Sequence, residues 1–403
     1  AARVEARGGD LAGGPALRSN FVLQTSADMS GFHEGFSDLM ALFHHFLHKD
    51  ALRNALARSR GNLRDSKYLS HIGQQFGRAS GGVQALRSAC NTELRYDPKM
   101  PAHQMGELLM AAVFDAFCEV FENRTGRIKR SLATYQGRLS HEGVHWLAQQ
   151  ASALARKFLN IIIRAIDYCP PFHCTFGEYL RALITADYDL VGEEGTLYRE
   201  VIVASFRRYG VTVPDVPTLS VESLLWKPPQ AGRIEIPELR FRNLGLTFDG
   251  GFCDWPQDDD GSSVRRAAQA LGNAICTPKH AQDFGLVEPR GAFSPPRLLS
   301  LRTLRRVSLR GDVAFDLVAE VVQKTRVREG WFLGGSTIVI SSEGEVRYAI
   351  AKHAGSKNRL AAQRRWLRTQ PKHVQDAAWH ENSMVSARLQ RNIHRERRGS
   401  PSA

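Results

Sequence analysis

The sequence has few cysteines and none of the spacings that hold a structural metal. Six cysteines are scattered over the 403 residues, at positions 90, 118, 169, 174, 253 and 276. No two of them form a Cys-x-x-Cys pair, so a zinc ribbon is disfavoured. Cys118 lies in an apolar helical pattern and is expected to be a buried free thiol. Isolated thiols of this kind favour a reducing compartment, and hence a cytoplasmic location.

Long apolar runs are missing as well. A membrane-spanning helix needs about 20 consecutive apolar residues, and "FLNIII" at 158–163 is among the longest apolar runs here. No secretory signal pattern is visible at the start, although the sequence begins with Ala rather than Met. With 43% hydrophobic and 24% charged residues, the composition predicts globular domains with a sizeable core and no membrane partner.

Acidic residues are scarce only towards the end of the chain. Residues 351–403 contain twelve Lys plus Arg and three Asp plus Glu, so this segment carries +9 of the net charge of +13. Such a run is typical of a solvated, partly disordered tail. It lacks the interleaved aromatic residues that single-stranded nucleic acid would stack on, which makes nucleic acid an unfavoured partner.

The pattern of the chain changes near residue 225 and predicts two kinds of domain. After an irregular start at 1–20, residues 21–225 are almost entirely of helical period and form a predicted helical domain. Residues 235–370 mix strand alternation, as in 233–251 and a hairpin around Glu343-Gly344, with helical stretches at 261–275 and 357–369. The expected fold is therefore a mainly α N-terminal half, a smaller α+β domain and a basic, disordered tail at 371–403.

Two carboxylates interrupt the most apolar helical stretch of the chain. The segment "GFHEGFSDLMALFHHFL" at 31–47 predicts a buried helix, with Glu34 and Asp38 four residues apart on one side of it. A carboxylate within an apolar run is costly unless it is paired or binds a metal. Two interpretations follow from the spacing: a salt-bridged or solvated stripe, or a metal ligand with a neighbouring carboxylate that orients another ligand.

The same segment resembles the second zinc motif of the gluzincin metallopeptidases, the thermolysin- and fungalysin-like group. In that family a Glu-x-x-x-Asp pair lies on a helix, the Glu being the third zinc ligand and the Asp steadying a zinc-bound histidine. The resemblance implies these roles for Glu34 and Asp38. It extends over about half of the chain, from residue 20 to 225, and implies a thermolysin-like helical lobe.

A second motif supports the resemblance. The segment "DPKMPAHQMGELLMAAVFDAF" at 97–117 is similar to the family's His-x-x-Gly-Glu segment, whose histidine donates to the oxyanion of the tetrahedral intermediate. The resemblance gives that role to His103, which follows Pro101 at a helix N-terminus, where the dipole favours developing negative charge. Asp97 is a candidate to orient it. We expect Glu34 and His103 to lie within about 10 Å of each other, because zinc ligands sit near 2 Å from the metal.

The chain departs from the family pattern upstream of Glu34. Family members carry a His-Glu-x-x-His helix there, with two zinc ligands and a general base on one face. Counting back reaches "RGGDLAGG" at 7–14, which contains no histidine. The expectation is weak or absent zinc binding by this chain, whether through truncation, a frameshift or genuine loss of the enzyme.

A literal His-Glu-x-x-His occurs elsewhere, as His141, Glu142 and His145 in "HEGVH". On a helix the two histidines would share a face, as zinc requires. The order is wrong for the family, however, because Glu34 precedes this segment instead of following it. His141 also follows Ser140, which predicts an N-cap, so a helix start is the favoured interpretation of this motif.

The sequence thus favours a relative of the zinc metallopeptidases, with zinc as the family cofactor and a peptide or protein as substrate. Hydrolysis would require the metal to activate water and a Glu to take its proton. The alternatives are a catalytically inactive binding or scaffold protein that keeps the fold and, less favoured, a nucleic-acid-associated protein that uses the basic tail.

Overall fold

The computed structural model describes residues 23–64, 91–132, 139–192, 196–249, 252–256, 262–307 and 313–380. These residues have a mixed α and β architecture, and the strands are confined to the C-terminal half. The chain divides into a helical unit, Ser30–Ala165 with Glu193–Leu224, and a sheet unit, Ala1–Met29 with Ile166–Gly192 and Leu225–Ala403. Among the described helices, none has the length and apolarity needed to cross a bilayer.

The described helices are α1 (Ala27–His45), α2 (Lys49–Arg58), α3 (Ala102–Leu132), α4 (His141–Ala165), α5 (Phe176–Val191), α6 (Thr196–Arg208), α7 (Val221–Leu224), α8 (Phe241–Leu244), α9 (Ser262–Ile275), α10 (Lys357–Leu367) and α11 (Lys372–Trp379). The strands are β1 (Thr247–Asp249), β2 (Phe252–Asp254), β3 (Arg297–Val307), β4 (Val313–Val327), β5 (Gly330–Ser341) and β6 (Val346–Lys352). Short 3₁₀-helices cover Ile166–Tyr168 and Pro237–Leu239.

Aromatic side chains form the core of the helical unit. Phe43 of α1 lies edge-on to Phe117 of α3, with ring centroids 5.1 Å apart, and stacks on Phe158 of α4 at 5.9 Å. The apolar face predicted for α1 is confirmed, because Phe32, Phe36 and Leu39 are buried along with Phe43 and Phe46. Burial of several phenylalanines, each stabilising by roughly 1.5–3 kcal/mol, holds α1 against α3.

The sheet unit is built on an antiparallel sheet of order β3-β4-β5-β6. One face carries apolar residues of β4 and β5, including Leu317 and Ile338, and packs against Leu271 and Ile275 of α9. The other face carries charged residues that contact α5 and the segment before it. Both faces of β4 are therefore buried along most of its length, which explains a nearly continuous apolar run interrupted by single charges.

The structure confirms the coarse division into a helical N-terminal half and a C-terminal half with antiparallel strands. The β5–β6 hairpin turns at Gly344, whose φ of 80° requires the left-handed region that glycine tolerates. The contact-based units differ from the sequence-based domains in two respects, since residues 23–29 and 166–192 group with the sheet instead of with the helical unit.

Two local expectations were wrong. Within 233–246, residues 237–239 form a 3₁₀-helix and residues 241–244 form α8 instead of a strand, because the buried apolar residues Ile236, Leu239 and Leu244 also fit helical turns. The predicted disordered tail at 371–403 begins with α11, which buries Val374, Ala378 and Trp379 against Phe332 of β5. The rest of that tail and the irregular start at 1–20 lie outside the described residues.

Candidate functional site

The helices that carry the two predicted motifs cross at close range within the helical unit. Both Gly31 and Gly35 of α1 face the first turns of α3. A Cβ added at Gly31 would overlap Met105, and one added at Gly35 would lie 2.7 Å from the carbonyl oxygen of Gly106. Glycines one turn apart thus let the two backbones approach each other, and this approach places the residues beside the crossing in contact.

Glu34 and His103 meet at this crossing. The carboxylate Oε2 of Glu34 lies 3.5 Å from Nδ1 of His103, which is well within the separation expected from the sequence. Their side chains are 29% and 37% exposed, respectively, so the pair is half-open to solvent. The pair is ionic only when His103 is protonated, and the imidazole sits in the first turn of α3, where the backbone N–H groups lack helical partners.

The other predicted residues near this pair occupy different settings. Asp38 is half-buried, one turn after Glu34 on α1. Asp97 is exposed, and its carboxylate accepts a hydrogen bond from the backbone N–H of Lys99 at 2.9 Å. Asp97 therefore stabilises the turn that precedes α3. This contact of Asp97 is thus with its own turn, and not with His103, which it was a candidate to orient.

The literal zinc motif at 141–145 lies at the exposed start of α4. His141 and Glu142 are exposed, and the hydroxyl of Ser140 accepts a hydrogen bond from the N–H of Gly143 at 3.0 Å, as the N-cap interpretation requires. One ring nitrogen of His145 lies 3.4 Å from the Arg53 guanidinium and the other 3.0 Å from the Gln149 amide. A neighbouring guanidinium disfavours a metal cation at His145.

The residues around Glu34 fit only part of a zinc site. Zinc requires three or four donors in a tetrahedral arrangement. Over the described ranges, no group of three or more His, Cys, Asp and Glu side chains is placed to hold a metal ion. Glu34 and His103 are a pair of such donors, and residues 1–22 contain no histidine.

Sequence reasoning missed a second charged cluster, which is buried in the sheet unit. The Asp189 carboxylate of α5 accepts from Arg347 of β6 at 2.8 Å, and from the hydroxyls of Tyr168 and Tyr348 at 2.6 and 2.9 Å. Burial raises the pKa of Tyr348, as does the neighbouring carboxylate, so its hydroxyl stays protonated as a donor. Arg347 also reaches Asp316 of β4 at 2.9 Å, which joins α5 to two strands.

The cluster continues along the same face of the sheet. Arg302 of β3 pairs with Glu320 of β4 at 2.8 Å and with Asp167 at 2.5 Å. Lys352 of β6 pairs with Glu178 in the first turn of α5 at 2.6 Å. We call this set of residues the buried ion-pair layer. It consists of Asp167, Glu178, Asp189, Arg302, Asp316, Glu320, Arg347 and Lys352. Its sequence signal was single charges, such as Asp316 and Glu320, four apart in the apolar stretch 313–322 of β4.

A buried histidine adjoins this layer. His173 is 7% exposed and has a φ of 52°, unusual for a residue with a side chain. Its Nδ1 lies 2.9 Å from the hydroxyl of Thr25. Burial lowers the pKa of His173 well below its usual value, and the nearby Lys352 and Arg359 lower it further. His173 is therefore a neutral hydrogen-bonding group in the folded protein.

Comparisons with protein-family models, with curated proteins and with solved structures gave no match for this chain.

Proposed function

We propose that this chain is a relative of the gluzincin metallopeptidases, with peptide or protein substrates, in which Glu34 is a zinc ligand and His103 a donor to the substrate oxyanion. The observation that carries the proposal is the 3.5 Å contact between these side chains. Two motifs that are far apart in sequence converge on one half-open point. The resemblance requires such convergence.

The chemistry of each residue is consistent with that role. A carboxylate on a rigid, buried helix can hold a metal with little loss of conformational entropy. A histidine in the first turn of a helix is well placed to donate to a developing oxyanion, since the helix dipole stabilises negative charge there. In the intact family, zinc supplies the activated water. No such step is assigned to this chain, because its described residues do not complete the ligand set.

The alternative is a binding or scaffold protein that keeps the fold without catalysis. The observation that favours it is the same contact, because the Glu34 carboxylate lies 3.5 Å from the His103 ring and forms an ion pair with it when His103 is protonated. On this alternative, the pair joins α1 to α3 and has no further role. A measurement of zinc binding distinguishes the metallopeptidase proposal from the scaffold alternative.

The test uses zinc binding by the full chain and by a chimera. For the chain as printed, we expect less than one zinc to be retained per molecule after dialysis, because the ligand count is too low for tight binding. Replacing residues 7–20 with a zincin helix that contains His-Glu-x-x-His should restore one tightly held zinc. Glu34→Gln should remove the bound zinc. The control Glu107→Gln should not, because Glu107, which lies on α3 as His103 does, accepts a hydrogen bond from Asn91.

Activity provides the second measurement. The zinc-loaded chimera should hydrolyse an unfolded protein such as casein, and His103→Gln should reduce kcat by about 10²–10³-fold, the usual cost of one lost oxyanion donor. A chimera that folds but retains no zinc would show that Glu34 is not a ligand and would favour the scaffold alternative. Stoichiometric zinc on the unmodified chain, removed by His141→Gln, would instead assign the metal to the 141–145 motif.

A further inference from the structure

One surface of the sheet unit carries cations that the fold leaves unneutralised. From residue 346 to 375 the sequence contains eight Lys and Arg and no Asp or Glu. Three of the eight are internal: Arg347 is neutralised by Asp189 and Asp316, Lys352 by Glu178, and Arg359 donates to the carbonyl of Leu333. Of the remaining five, Lys372 of α11 pairs with Asp376 at 2.9 Å, and the other four lie on α10 and at its C-cap.

The α10 cations share one face of the helix. Lys357, Arg364, Arg365 and Arg368, the last being the C-cap, follow helical spacing, and the opposite side carries the buried Gln363 and Leu367. Arg364 forms two hydrogen bonds to Glu329, at 2.9 and 2.7 Å. Lys357, Arg365 and Arg368 are exposed, and no acidic side chain of the described residues forms an ion pair with them. We call this surface the α10 basic face.

The shape and composition of the α10 basic face favour a phosphate backbone. Its cations extend over about 16 Å, at 1.5 Å per residue. The exposed residues between them, Asn358, Ala361 and Ala362, are small, so a polyanion could approach the helix closely. Arginine predominates, and its planar guanidinium matches phosphate oxygens in bidentate geometry. Insertion into an anionic membrane would require large apolar side chains on this face, which α10 does not expose.

We propose that the α10 basic face binds the phosphate backbone of nucleic acid, without reading its sequence. The proposal is independent of the Glu34–His103 pair, which belongs to the other unit. It also changes the sequence-based expectation, because the cations form one face on an ordered helix and need no interleaved aromatic residues for backbone contact. Residues 381–403 add five Arg and two Glu, so the tail must be tested separately.

The experiment measures binding of the full chain to a fluorescein-labelled 25-base-pair DNA duplex by anisotropy, over a range of salt concentrations. The variant Lys357→Gln/Arg365→Gln/Arg368→Gln should weaken binding by at least about tenfold at low salt. It should also reduce the slope of log K against log salt by about 2.7, or 0.9 per lost phosphate contact. The matched control, Arg127→Gln/Arg156→Gln/Lys157→Gln, removes the same charge from exposed positions on α3 and α4 and should bind like the unmodified chain.

Several outcomes would overturn the proposal. One is no binding of the duplex by the unmodified chain at 50 mM salt, roughly the low-salt regime in which phosphate contacts are strongest. Another is an equal loss in the control variant, which would show an effect of net charge alone. A third is loss of binding on Arg391→Gln/Arg395→Gln/Arg398→Gln with full binding by the α10 variant, which would assign binding to the tail. Tighter binding to phosphatidylserine vesicles, sensitive to the α10 variant, would assign the face to membranes.

Discussion

Two regions of this chain place carboxylates in apolar sequence, and they use them differently. At the crossing of α1 and α3, Glu34 has a histidine beside it, and both side chains keep about a third of their surface in solvent. In the buried ion-pair layer, the side chains of Asp189 and Asp316 are 2% and 1% exposed and are held by arginine. The first arrangement keeps the carboxylate accessible from solvent, and the second encloses it.

The difference lies in the partner as much as in the burial. A histidine can lose its proton near neutral pH and release the carboxylate, whereas arginine keeps its charge. A half-exposed pair contributes little to stability. Removing one partner of a pair with a buried carboxylate is costly, because an unpaired charge would remain. An apolar pattern with an embedded carboxylate therefore predicts function only if the partner is exchangeable.

The largest loss of stability is expected when a carboxylate is removed from the buried ion-pair layer. Asp189→Ala should lower the free energy of unfolding by about 3–5 kcal/mol, because Arg347 would lose one of its two carboxylates and two tyrosine hydroxyls would lose their acceptor. Urea denaturation followed by circular dichroism measures this loss. Replacing both partners, as in Asp189→Leu/Arg347→Met, should cost less than the single change. A loss below about 1 kcal/mol for Asp189→Ala would contradict the strength assigned to this layer.

A smaller loss is expected at the crossing of α1 and α3, beside the half-open Glu34–His103 pair. Gly31→Ala should lower the free energy of unfolding by about 1–3 kcal/mol, because the new methyl group overlaps Met105 and forces α1 away from α3. Thermal or urea denaturation measures the loss. Gly126→Ala in α3 is the control, since its Cβ would meet only the flexible Glu122 side chain. That change should be neutral or stabilising, as alanine favours helix over glycine. Equal effects at the two sites would argue against a close crossing.

The buried, neutral His173 predicts that the free energy of unfolding depends on pH. The pKa of His173 is lowered in the folded state, so below the usual value of about 6.5 the unfolded chain binds more protons than the folded one. Stability should therefore fall as pH decreases from about 6.5, by at most about 1.4 kcal/mol per pH unit from this residue. His173→Gln should flatten the profile of unfolding free energy between pH 5 and 7, a range chosen around that value of about 6.5. His373→Gln, at an exposed residue of α11, should leave the profile unchanged, and an identical slope in both variants would refute the assignment.

The smallest stability effect is expected at Glu34 itself. Glu34→Gln should change the free energy of unfolding by no more than about 1 kcal/mol, because a half-exposed ion pair contributes little. The same substitution should abolish zinc binding in the chimera. A large loss of stability without any effect on zinc would place Glu34 with the structural carboxylates of the buried layer.

The sequence predicted the helical unit well because its signals are local. The spacing of the apolar residues determines which side of α1 is buried, and that side packs in the core. The residues are Phe32, Phe36, Leu39 and Phe43. The contact between Glu34 and His103 was expected only through the resemblance to a family. No local pattern links residue 34 to residue 103. The spacing of Gly31 and Gly35 does not by itself show which helix they will face.

The sheet unit was less predictable because its determinants are distant in sequence. Asp189 and Arg347 are 158 positions apart, and the sequence around either residue does not reveal its ion-pair partner. Residues 233–246 were assigned to a strand because short apolar runs fit both periods, and packing against α9 decided between them. The charge of Asp316 within a strand marked the buried layer, but its partners, Arg306 and Arg347, came from β3 and β6.

The spacing of 158 residues between Asp189 and Arg347 also sets an order of events at the ribosome. At about 5–20 residues per second, α5 would be synthesised some 8–30 seconds before the strand that neutralises it. Throughout that interval its carboxylates must stay hydrated, and the tyrosines and apolar side chains around them have no sheet to cover them. The nascent chain thus exposes the inner surface of α5 for as long as the remaining residues take to emerge, and chaperones would meet the protein at this helix.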